Sequence, residues 1–324
     1  MTIAQTIESR RHDPNYGGST PGIRHHYDIS NEFWGLMLGP SFMYSAAIFE
    51  QVDEDLNVAQ QRKIDWHLHS AGVPRAKRVL DVGCGWGTIL KQCSENARIE
   101  RVHGLTLSQA QADHIAAMKL KNVAVFVQNW ARYEPDQTYD SIISIGAFEH
   151  FAKPTESRQE KLGVYRDFFE RCRRWLKPDG RMSLQTIAYG TMRREDASEF
   201  INTEIYPDSD LPFLQEIVEA TDGLFEIERV RNDRHDYARS YDGWLQNLRR
   251  ERERAVAMVG EEQVRRFEKF YKLGSLGFRM GKIWLLRFTL RPISTAWDVY
   301  GTDPLTLTGD LRTQTEGGLS KNSH

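Results

Sequence analysis

The chain has 324 residues, of which 40% are hydrophobic and 27% are charged, and its formal net charge is −2 at pH 7. This composition is typical of one large α/β domain, and the near-neutral charge provides no basic field for nucleic acid. No apolar run approaches the roughly 20 residues that a membrane span needs, and residues 1–15 lack the apolar core of a signal peptide. The three cysteines have no metal-ligand spacing and favour a reducing compartment, so we expect a cytoplasmic protein without a metal.

The N-terminal residues are expected to lie outside the sheet. Residues 1–22 end in glycine, serine, threonine and proline, which predicts a flexible segment that stays mobile until something orders it. Residues 25–50 are dense in aromatic and apolar side chains, which favours helical pieces packed on the core or over a ligand. A further helix is predicted over 55–72. We therefore expect residues 23–72 to form a helical lid.

From residue 78 onwards, predicted strands alternate with predicted helices. The strands are predicted at 78–82, 101–105, 123–128, 139–145 and 181–187. The helices are predicted to include 88–93, 108–120 and 166–176. This alternation predicts a doubly wound parallel α/β sheet, which binds ligands outside the carboxyl ends of its strands.

The region after the fifth strand is less regular. Residues 188–222 mix polar and apolar side chains without a clear period, which predicts a cap inserted over the sheet. A strand is predicted at 225–230, and charged helices are predicted at 242–259 and 261–270. Residues 308–324 are polar and are expected to be a disordered tail.

The segment 79–87 reads VLDVGCGWG, a buried strand that runs into a glycine-rich turn. Glycine allows unusual backbone dihedrals and the close approach of a ligand. The spacing G-x-G-x-G, with Asp81 two residues ahead, differs from the fingerprint G-x-G-x-x-G and disfavours a nicotinamide-dependent oxidoreductase. It is typical of S-adenosylmethionine-dependent methyltransferases, and we expect Gly83, Gly85 and Gly87 to leave room for the methionine part of this cofactor.

Other segments, correctly spaced around this turn, resemble the cyclopropane-fatty-acid synthase family, which includes the mycolic-acid cyclopropane synthases. The matching segments are HYDIS at 26–30, YSAAIFE at 44–50, GLTLS at 104–108, SIGAFEHF at 144–151 and LQTI at 184–187. The resemblance extends over about 25–291, within which 152–162 looks like an exposed insertion. It implies a seven-stranded, Rossmann-like class I methyltransferase sheet in a single domain over 23–307.

The resemblance also implies further contacts to S-adenosylmethionine. Tyr44 and Ser45 would reach the carboxylate and the amine of its methionine end, and Tyr27 would belong to a lid over the bound cofactor. Strand two ends without the acid that commonly grips the ribose, and Gln111 would take this role, since an amide offers both donor and acceptor. The residues implied near the adenosine are Thr106, Leu107 and Trp130.

Trp130 would stack on the adenine or flank it. In the family an acid often follows this tryptophan and accepts a hydrogen bond from the adenine amino group, but this chain has Ala131 there. The contact must therefore come from the backbone or from Asn129, or be absent.

Glu149 is the predicted catalytic residue. It falls just beyond strand four in an apolar run, where a buried carboxylate is costly unless it is partnered or used. The simpler alternative is an acid favoured by the N-terminus of a helix. The resemblance implies that Tyr237 also lies near the reaction centre.

In cyclopropane synthases a bicarbonate ion beside the transferred methyl takes the final proton. The resemblance implies that its ligands include Glu149, Tyr237 and the backbone near Ile187, which this chain retains. Ala46 replaces a cysteine ligand, and Gln185 stands at the catalytic position of a histidine ligand. Bicarbonate binding by this chain is therefore left open.

We predict transfer of a methyl group from S-adenosylmethionine to a carbon (alkene or aromatic) or an amine of an apolar small molecule, as in specialised metabolism. Attack of an alkene on the methyl leaves a carbocation, which gives a methylated alkene unless a base beside the new methyl closes a ring. One alternative is a cyclopropane synthase that acts on an unsaturated fatty acyl chain, and another is a non-catalytic S-adenosylmethionine-binding protein. The expected partner is an apolar small-molecule or acyl acceptor, held between residues 25–50, the cap and the C-terminal helices.

Overall fold

The structure is a computed structural model that describes residues 16–18, 29–196, 200 and 208–293. Within these residues the strands are β1 Arg78–Val82, β2 Arg101–Thr106, β3 Val123–Val127, β4 Tyr139–Ile145, β5 Leu176–Tyr189, β6 Phe225–Asn232 and β7 Ile283–Pro292. They form one seven-stranded sheet in the order β3-β2-β1-β4-β5-β7-β6. Strands β1 to β5 pair in parallel, and β7 is antiparallel to both of its neighbours. The seven-stranded α/β sheet expected from the sequence is confirmed.

The strand order reverses between β1 and β4, which pair with each other at the centre of the sheet. Both strands are almost wholly buried, because helices cover both faces of a doubly wound sheet. A crevice opens outside the carboxyl ends of the strands at such a switch point. The glycine turn that follows β1 and the segment that follows β4 therefore lie at the same edge.

The helices of the described residues surround this sheet. They are α1 Asn31–Leu38, α2 Leu56–Ser70, α3 Thr88–Ser94, α4 Gln109–Ala117, α5 Arg158–Trp175, α6 Leu214–Thr221, α7 Arg234–Arg250, α8 Arg252–Val259 and α9 Glu261–Arg279. The predicted helix at 242–259 is divided at Glu251, and both α7 and α9 are longer than predicted. None of the helices described is long and apolar enough to cross a membrane.

One helical piece within residues 25–50 is α1. Its Phe33 ring lies 5.2 Å from that of Phe267 on α9, and its Trp34 ring lies 5.3 Å from that of Trp86 in the glycine turn. Helix α1 therefore joins the C-terminal helices to the edge of the sheet that carries the turn. Tyr27, the predicted lid residue, lies outside the described residues, as does the predicted tail at 308–324.

Residues 152–162, predicted to be an exposed insertion, include the start of α5 at Arg158; Arg158 and Gln159 are exposed, whereas Lys161 is buried. Ser157 and Glu160 form a capping box, in which the Glu160 N–H donates to the Ser157 hydroxyl and the Ser157 N–H donates to the Glu160 carboxylate. The strand predicted at 181–187 is longer than expected, because β5 begins at Leu176, directly after α5.

Lys161, within the supposed insertion, is buried and holds the end of the predicted cap against α5. Its Nζ donates to Asp210 Oδ2 at 2.7 Å and to the Leu211 carbonyl, and it lies 3.4 Å from Glu216 Oε2. The Tyr189 hydroxyl donates to Asp210 Oδ1 at 2.8 Å. The buried Glu216 carboxylate and the partly buried Asp210 carboxylate thus share one ammonium group, and Arg194 Nη1 lies farther from Asp210 at 3.8 Å.

We expect Lys161→Met to lower the free energy of unfolding by about 3 kcal/mol, because it removes the nearest cation of the buried Glu216 carboxylate and of the partly buried Asp210 carboxylate. Urea unfolding at neutral pH measures this loss. The matched control is Arg158→Met on the same helix, whose ion pair with Glu219 is exposed at both side chains, and which should cost less than about 1 kcal/mol. Equal losses in the two variants would contradict the prediction.

Candidate active site

A cavity of about 1020 Å³, its opening included, lies at the carboxyl ends of β1, β2 and β4, and we call it the first cavity. Eight of the ten residues that the sequence predicts for the cofactor line it: Tyr44, Ser45, Gly83, Gly85, Thr106, Leu107, Gln111 and Trp130. Gly87 is not among the lining residues, and Tyr27 lies outside the described residues. Residues from several separate parts of the chain thus meet around one space.

The glycines of the turn have different roles, although all have positive φ. A Cβ on Gly83 would lie 2.5 Å from the Ala147 Cβ, and a Cβ on Gly87 would lie 2.6 Å from Ile115 Cγ1. A Cβ on Gly85 would meet no atom within 4 Å. Packing therefore requires glycine at Gly83 and Gly87, whereas a side chain at Gly85 would enter open space. Gly83 and Gly85 both line the first cavity, and the expectation that all three glycines make room for the cofactor stays a prediction.

Gln111 is oriented by its neighbours on the first cavity. Ser108 caps α4 by accepting from the Gln111 backbone N–H at 3.3 Å, and the Thr106 hydroxyl donates to Gln111 Oε1 at 2.7 Å. Because the amide oxygen is used in this way, a ribose hydroxyl would meet the amide NH₂ group, which is a donor.

Ser45 is held by two buried side chains of α2. Lys63 Nζ donates to Ser45 Oγ at 2.9 Å, and Gln60 Nε2 donates to the Ser45 carbonyl at 2.9 Å. Burial lowers the pKa of Lys63 well below its usual value. Burial also raises the pKa of Asp81, on the wall of the first cavity, to about 7, and the nearby Lys63 opposes this shift.

Sequence reasoning missed Lys63, since α2 was predicted from its apolar residues. A signal was present: Gln60, Lys63 and His67 are spaced by three and four residues, which places them on one face of a helix. All three are fully buried in the structure. The helical spacing of these three polar residues therefore indicated a helix face that makes buried hydrogen bonds.

Glu149 is buried in a short turn that follows β4. Its Oε2 accepts from the Thr186 hydroxyl at 3.1 Å, and its Oε1 accepts from the Ile187 backbone N–H at 3.5 Å. Burial raises the pKa of this carboxyl to about 7. The alternative of an acid at the N-terminus of an α-helix does not apply, because the turn spans only Phe148–His150 and α5 begins at Arg158.

A second cavity, of about 1240 Å³ with its opening, is mostly apolar. Ala147 and His150, close to Glu149 in the chain, line the first cavity, whereas Ile187, which donates to Glu149, lines the second. Glu149 itself lines neither of these two cavities. Residues of β5, α7, α9, the first residue of β7 and both described ends of the predicted cap enclose the second cavity. Within 29–50, the described part of the segment expected to help hold the acceptor, no residue lines this second cavity.

Tyr237 lies in an aromatic cluster of α7 and α9. Its ring centroid is 4.9 Å from that of Tyr241 and 4.5 Å from that of Phe278. Tyr241 lines the second cavity, but Tyr237 lines neither cavity. Its proposed place at the reaction centre stays a prediction.

Gln185 is bound by two buried side chains. Arg287 Nε donates to Gln185 Oε1 at 2.8 Å, and His67 Nε2 lies 3.2 Å from the same oxygen. Because burial lowers the pKa of His67, the ring is neutral; Nε2 then carries its proton and Nδ1 accepts from the Ser183 hydroxyl at 2.8 Å. The Gln185 oxygen is therefore turned towards Arg287 and His67.

Arg287 also connects Gln185 to the position where the chain lacks the family's cysteine. Its Nη2 donates to the carbonyls of Ala46 at 2.9 Å and Ala47 at 3.0 Å, and its Nη1 pairs with Asp233. The side chain is fully buried. Sequence reasoning missed this residue, although a lone arginine interrupts the apolar run of 283–290.

The described site fits S-adenosylmethionine. The open space beside Gly85 accommodates a ligand against bare backbone, and the oriented amide of Gln111 can donate to a diol. The sheet order, the glycine turn and the cavity at the switch point define an S-adenosylmethionine-dependent methyltransferase.

Comparison with known proteins defines the family. A family model described as mycolic acid cyclopropane synthetase matches residues 18–288. Cyclopropane mycolic acid synthase 1 of Mycobacterium tuberculosis is 34% identical over 286 residues, which are 82% of this chain and 95% of that protein. The S-adenosylmethionine-dependent methyltransferase UmaA of the same organism is 34% identical over 82% of this chain and 94% of its own length.

A solved structure of a family member is also similar to this chain. The crystal structure of mycolic acid cyclopropane synthase CmaA1, complexed with SAH and CTAB, has a TM-score of 0.74 and 33% identity, and the match covers 84% of this chain and 97% of that chain. The chain therefore belongs to the mycolic acid cyclopropane synthetase family. It is an enzyme, and its cofactor is S-adenosylmethionine.

Proposed function

We propose that this enzyme transfers the methyl carbon of S-adenosylmethionine to a carbon–carbon double bond in an unsaturated acyl chain and closes a cyclopropane ring. The observation that carries the proposal is the buried Glu149 carboxylate, whose chain neighbour His150 lines the first cavity and whose hydrogen-bond donor Ile187 lines the apolar second cavity. The relatives' names favour this acyl acceptor over the aromatic or amine acceptors that the sequence also allowed.

When bound, S-adenosylmethionine supplies a methyl group on a sulfonium, which is a strong electrophile. The first cavity would hold its methionine end beside Gly85 and Ser45, and its ribose beside Gln111. The apolar second cavity would orient the acyl chain and exclude water, so that the double bond faces the methyl. These residues thus position the two reactants rather than react with them.

Glu149 would receive the proton that ring closure releases. The alkene electrons form the new carbon–carbon bond while the carbon–sulfur bond breaks, which leaves a cation on the acyl chain. Loss of a proton from the delivered methyl then closes the ring, and Glu149 accepts this proton directly or through water. A carboxyl whose pKa is about 7 is a stronger base than an exposed glutamate when it is ionised.

A second candidate is methylation of the same double bond without ring closure. It is favoured by the network of Arg287, which uses the Gln185 oxygen and the Ala46 carbonyl. Ala46 has no side-chain donor, so an anion beside the methyl would have fewer ligands than in the cyclopropane synthases. The cation would then lose a neighbouring proton and give a methylated alkene.

The product identifies the reaction. We expect incubation with S-adenosylmethionine and a mono-unsaturated acyl substrate to give a product with the high-field proton signals of a cyclopropane. Mass alone does not separate the two candidates, since each adds one methylene, whereas a vinylic methyl signal would support methylation without a ring. Transfer to amines or aromatic carbons, with none to acyl double bonds, would contradict the proposal.

A further inference from the structure

The tripeptide Tyr16-Gly17-Gly18, which we call the N-terminal clasp, lies against the residues that follow β3. Trp130 Nε1 donates to the Gly17 carbonyl at 2.7 Å, and Asn129 Nδ2 donates to the Tyr16 carbonyl at 2.8 Å. The Tyr16 ring is buried and its centroid lies 6.1 Å from that of Trp130. Gly17 and Gly18 line the first cavity.

The clasp approaches Trp130 so closely that no side chain fits. Gly17 has a φ of +70°, and a Cβ built on it would lie 2.4 Å from Trp130 Cζ2. A Cβ on Gly18, where φ is +147°, would lie 3.4 Å from Leu107 Cδ1. Only glycine combines this backbone conformation with such an approach. The match to the family model begins at residue 18, so Tyr16 and Gly17 precede the residues that the model covers.

The clasp also uses the polar groups that could have reached an adenine. The Asn129 side-chain oxygen accepts from the Ala131 N–H at 2.9 Å, and its NH₂ group donates to the clasp. The Trp130 N–H donates to the clasp as well. A hydrogen bond to the adenine amino group was expected from the backbone or from Asn129. Because the Asn129 side chain is already bonded to the clasp and to Ala131, the backbone is the remaining source.

We propose that the N-terminal clasp is part of the cofactor site and closes the adenosine end of the first cavity. This inference depends on the proposed placement of the adenosine beside Leu107 and Trp130. With the clasp in place, the adenosine is shielded from water between Gly17, Gly18 and the wall formed by Leu107. Displacement of the clasp opens this end of the cavity, so a clasp that fits poorly weakens cofactor binding.

The test compares two glycines of equal φ. We expect Gly17→Ala to raise the Kd for S-adenosylhomocysteine, measured by isothermal titration calorimetry, by about tenfold, because the new methyl group displaces the clasp from the indole. Gly223 has the same φ of +70°, but a Cβ there would meet nothing within 4 Å. Gly223→Ala thus introduces a similar backbone strain at a position that does not line the first cavity, and this variant should bind S-adenosylhomocysteine like wild type.

Hydrogen exchange provides a readout that does not depend on the variant. We expect S-adenosylhomocysteine to slow amide exchange in wild-type peptides that contain Tyr16, Gly17 and Gly18. Unchanged exchange, or a Gly17→Ala variant that binds as well as wild type, would overturn the proposal. Tighter binding by Gly17→Ala would overturn it too, since the clasp would then obstruct the site. If the wild-type protein does not bind S-adenosylhomocysteine, the result contradicts the proposed cofactor site itself, whereas normal wild-type binding with an unaffected Gly17→Ala variant contradicts only the clasp.

Discussion

Glu149→Gln should lower the turnover number for methyl transfer by about 10²- to 10⁴-fold, the range expected for loss of a general base. The amide keeps the size of the carboxylate but cannot accept a proton at neutral pH. The Thr186 hydroxyl can rotate to accept from the new NH₂ group, and the amide oxygen can accept from the Ile187 N–H, so both neighbours keep a partner. Because Glu149 does not line the first cavity, the affinity for S-adenosylhomocysteine should stay close to that of wild type.

The pH dependence of wild type follows from the pKa of Glu149, which burial raises to about 7. The ionised form accepts the proton, so turnover should fall about tenfold per pH unit below this value and level off above it. The residual activity of Glu149→Gln should lack this transition. A wild-type profile that is flat between about pH 5.5 and 8.5, or a variant of normal turnover, would show that Glu149 is not the base.

The raised pKa of Glu149 also makes stability depend on pH. Raising the pH increases turnover, but it decreases the free energy of unfolding. Because the folded pKa is raised from 4.5 to about 7, folding favours the protonated form. The stability contribution is fully present below the unfolded pKa and is lost as pH rises through the folded pKa, by as much as about 3 kcal/mol. Glu149→Gln should therefore resist urea better than wild type at about pH 8 but not at about pH 4. Glu253→Gln, at an exposed position of α8, is the matched control.

The parts of the fold that the sequence predicted correctly are those with local signals. The bounds of β1 and β4 agree with prediction at both ends, because each is a buried apolar run between polar residues. The start of α5 was missed although Ser157 and Glu160 carried the spacing of a capping box. Strand β7 had been implied only by resemblance, and its place between β5 and β6 depends on contacts between residues far apart in the chain.

Arg287, a missed site residue, depends on such a distant contact, since it pairs with Asp233, which is 54 residues away. The structural pair of Lys161 with Asp210 likewise joins residues 49 apart. A single charged residue in an apolar run indicates either a solvent-exposed position or a buried pair, and only the fold brings the partner to it. The glycine turn, in contrast, was predictable because its backbone conformation is a local property.

Gly85→Val should abolish cofactor binding while the protein still folds. Gly85 has a φ of +52°, lines the first cavity, and has open space where its Cβ would lie, so that the valine side chain would project into the volume proposed for the methionine end of the cofactor. We expect the Kd for S-adenosylhomocysteine to rise by at least about 100-fold, which corresponds to about 2.7 kcal/mol. Isothermal titration calorimetry measures the binding, and circular dichroism shows that the variant is folded.

Two matched variants separate obstruction of the cavity from strain. Gly223→Val places the same side chain at positive φ where nothing lies within 4 Å, so it should lose a similar amount of stability and bind normally. Gly87→Val, whose side chain would collide with Ile115 instead of entering the cavity, should mainly unfold the protein. A Gly85→Val variant that binds S-adenosylhomocysteine as wild type does would place the cofactor elsewhere, because a ligand held against this bare backbone cannot share its volume with an isopropyl group.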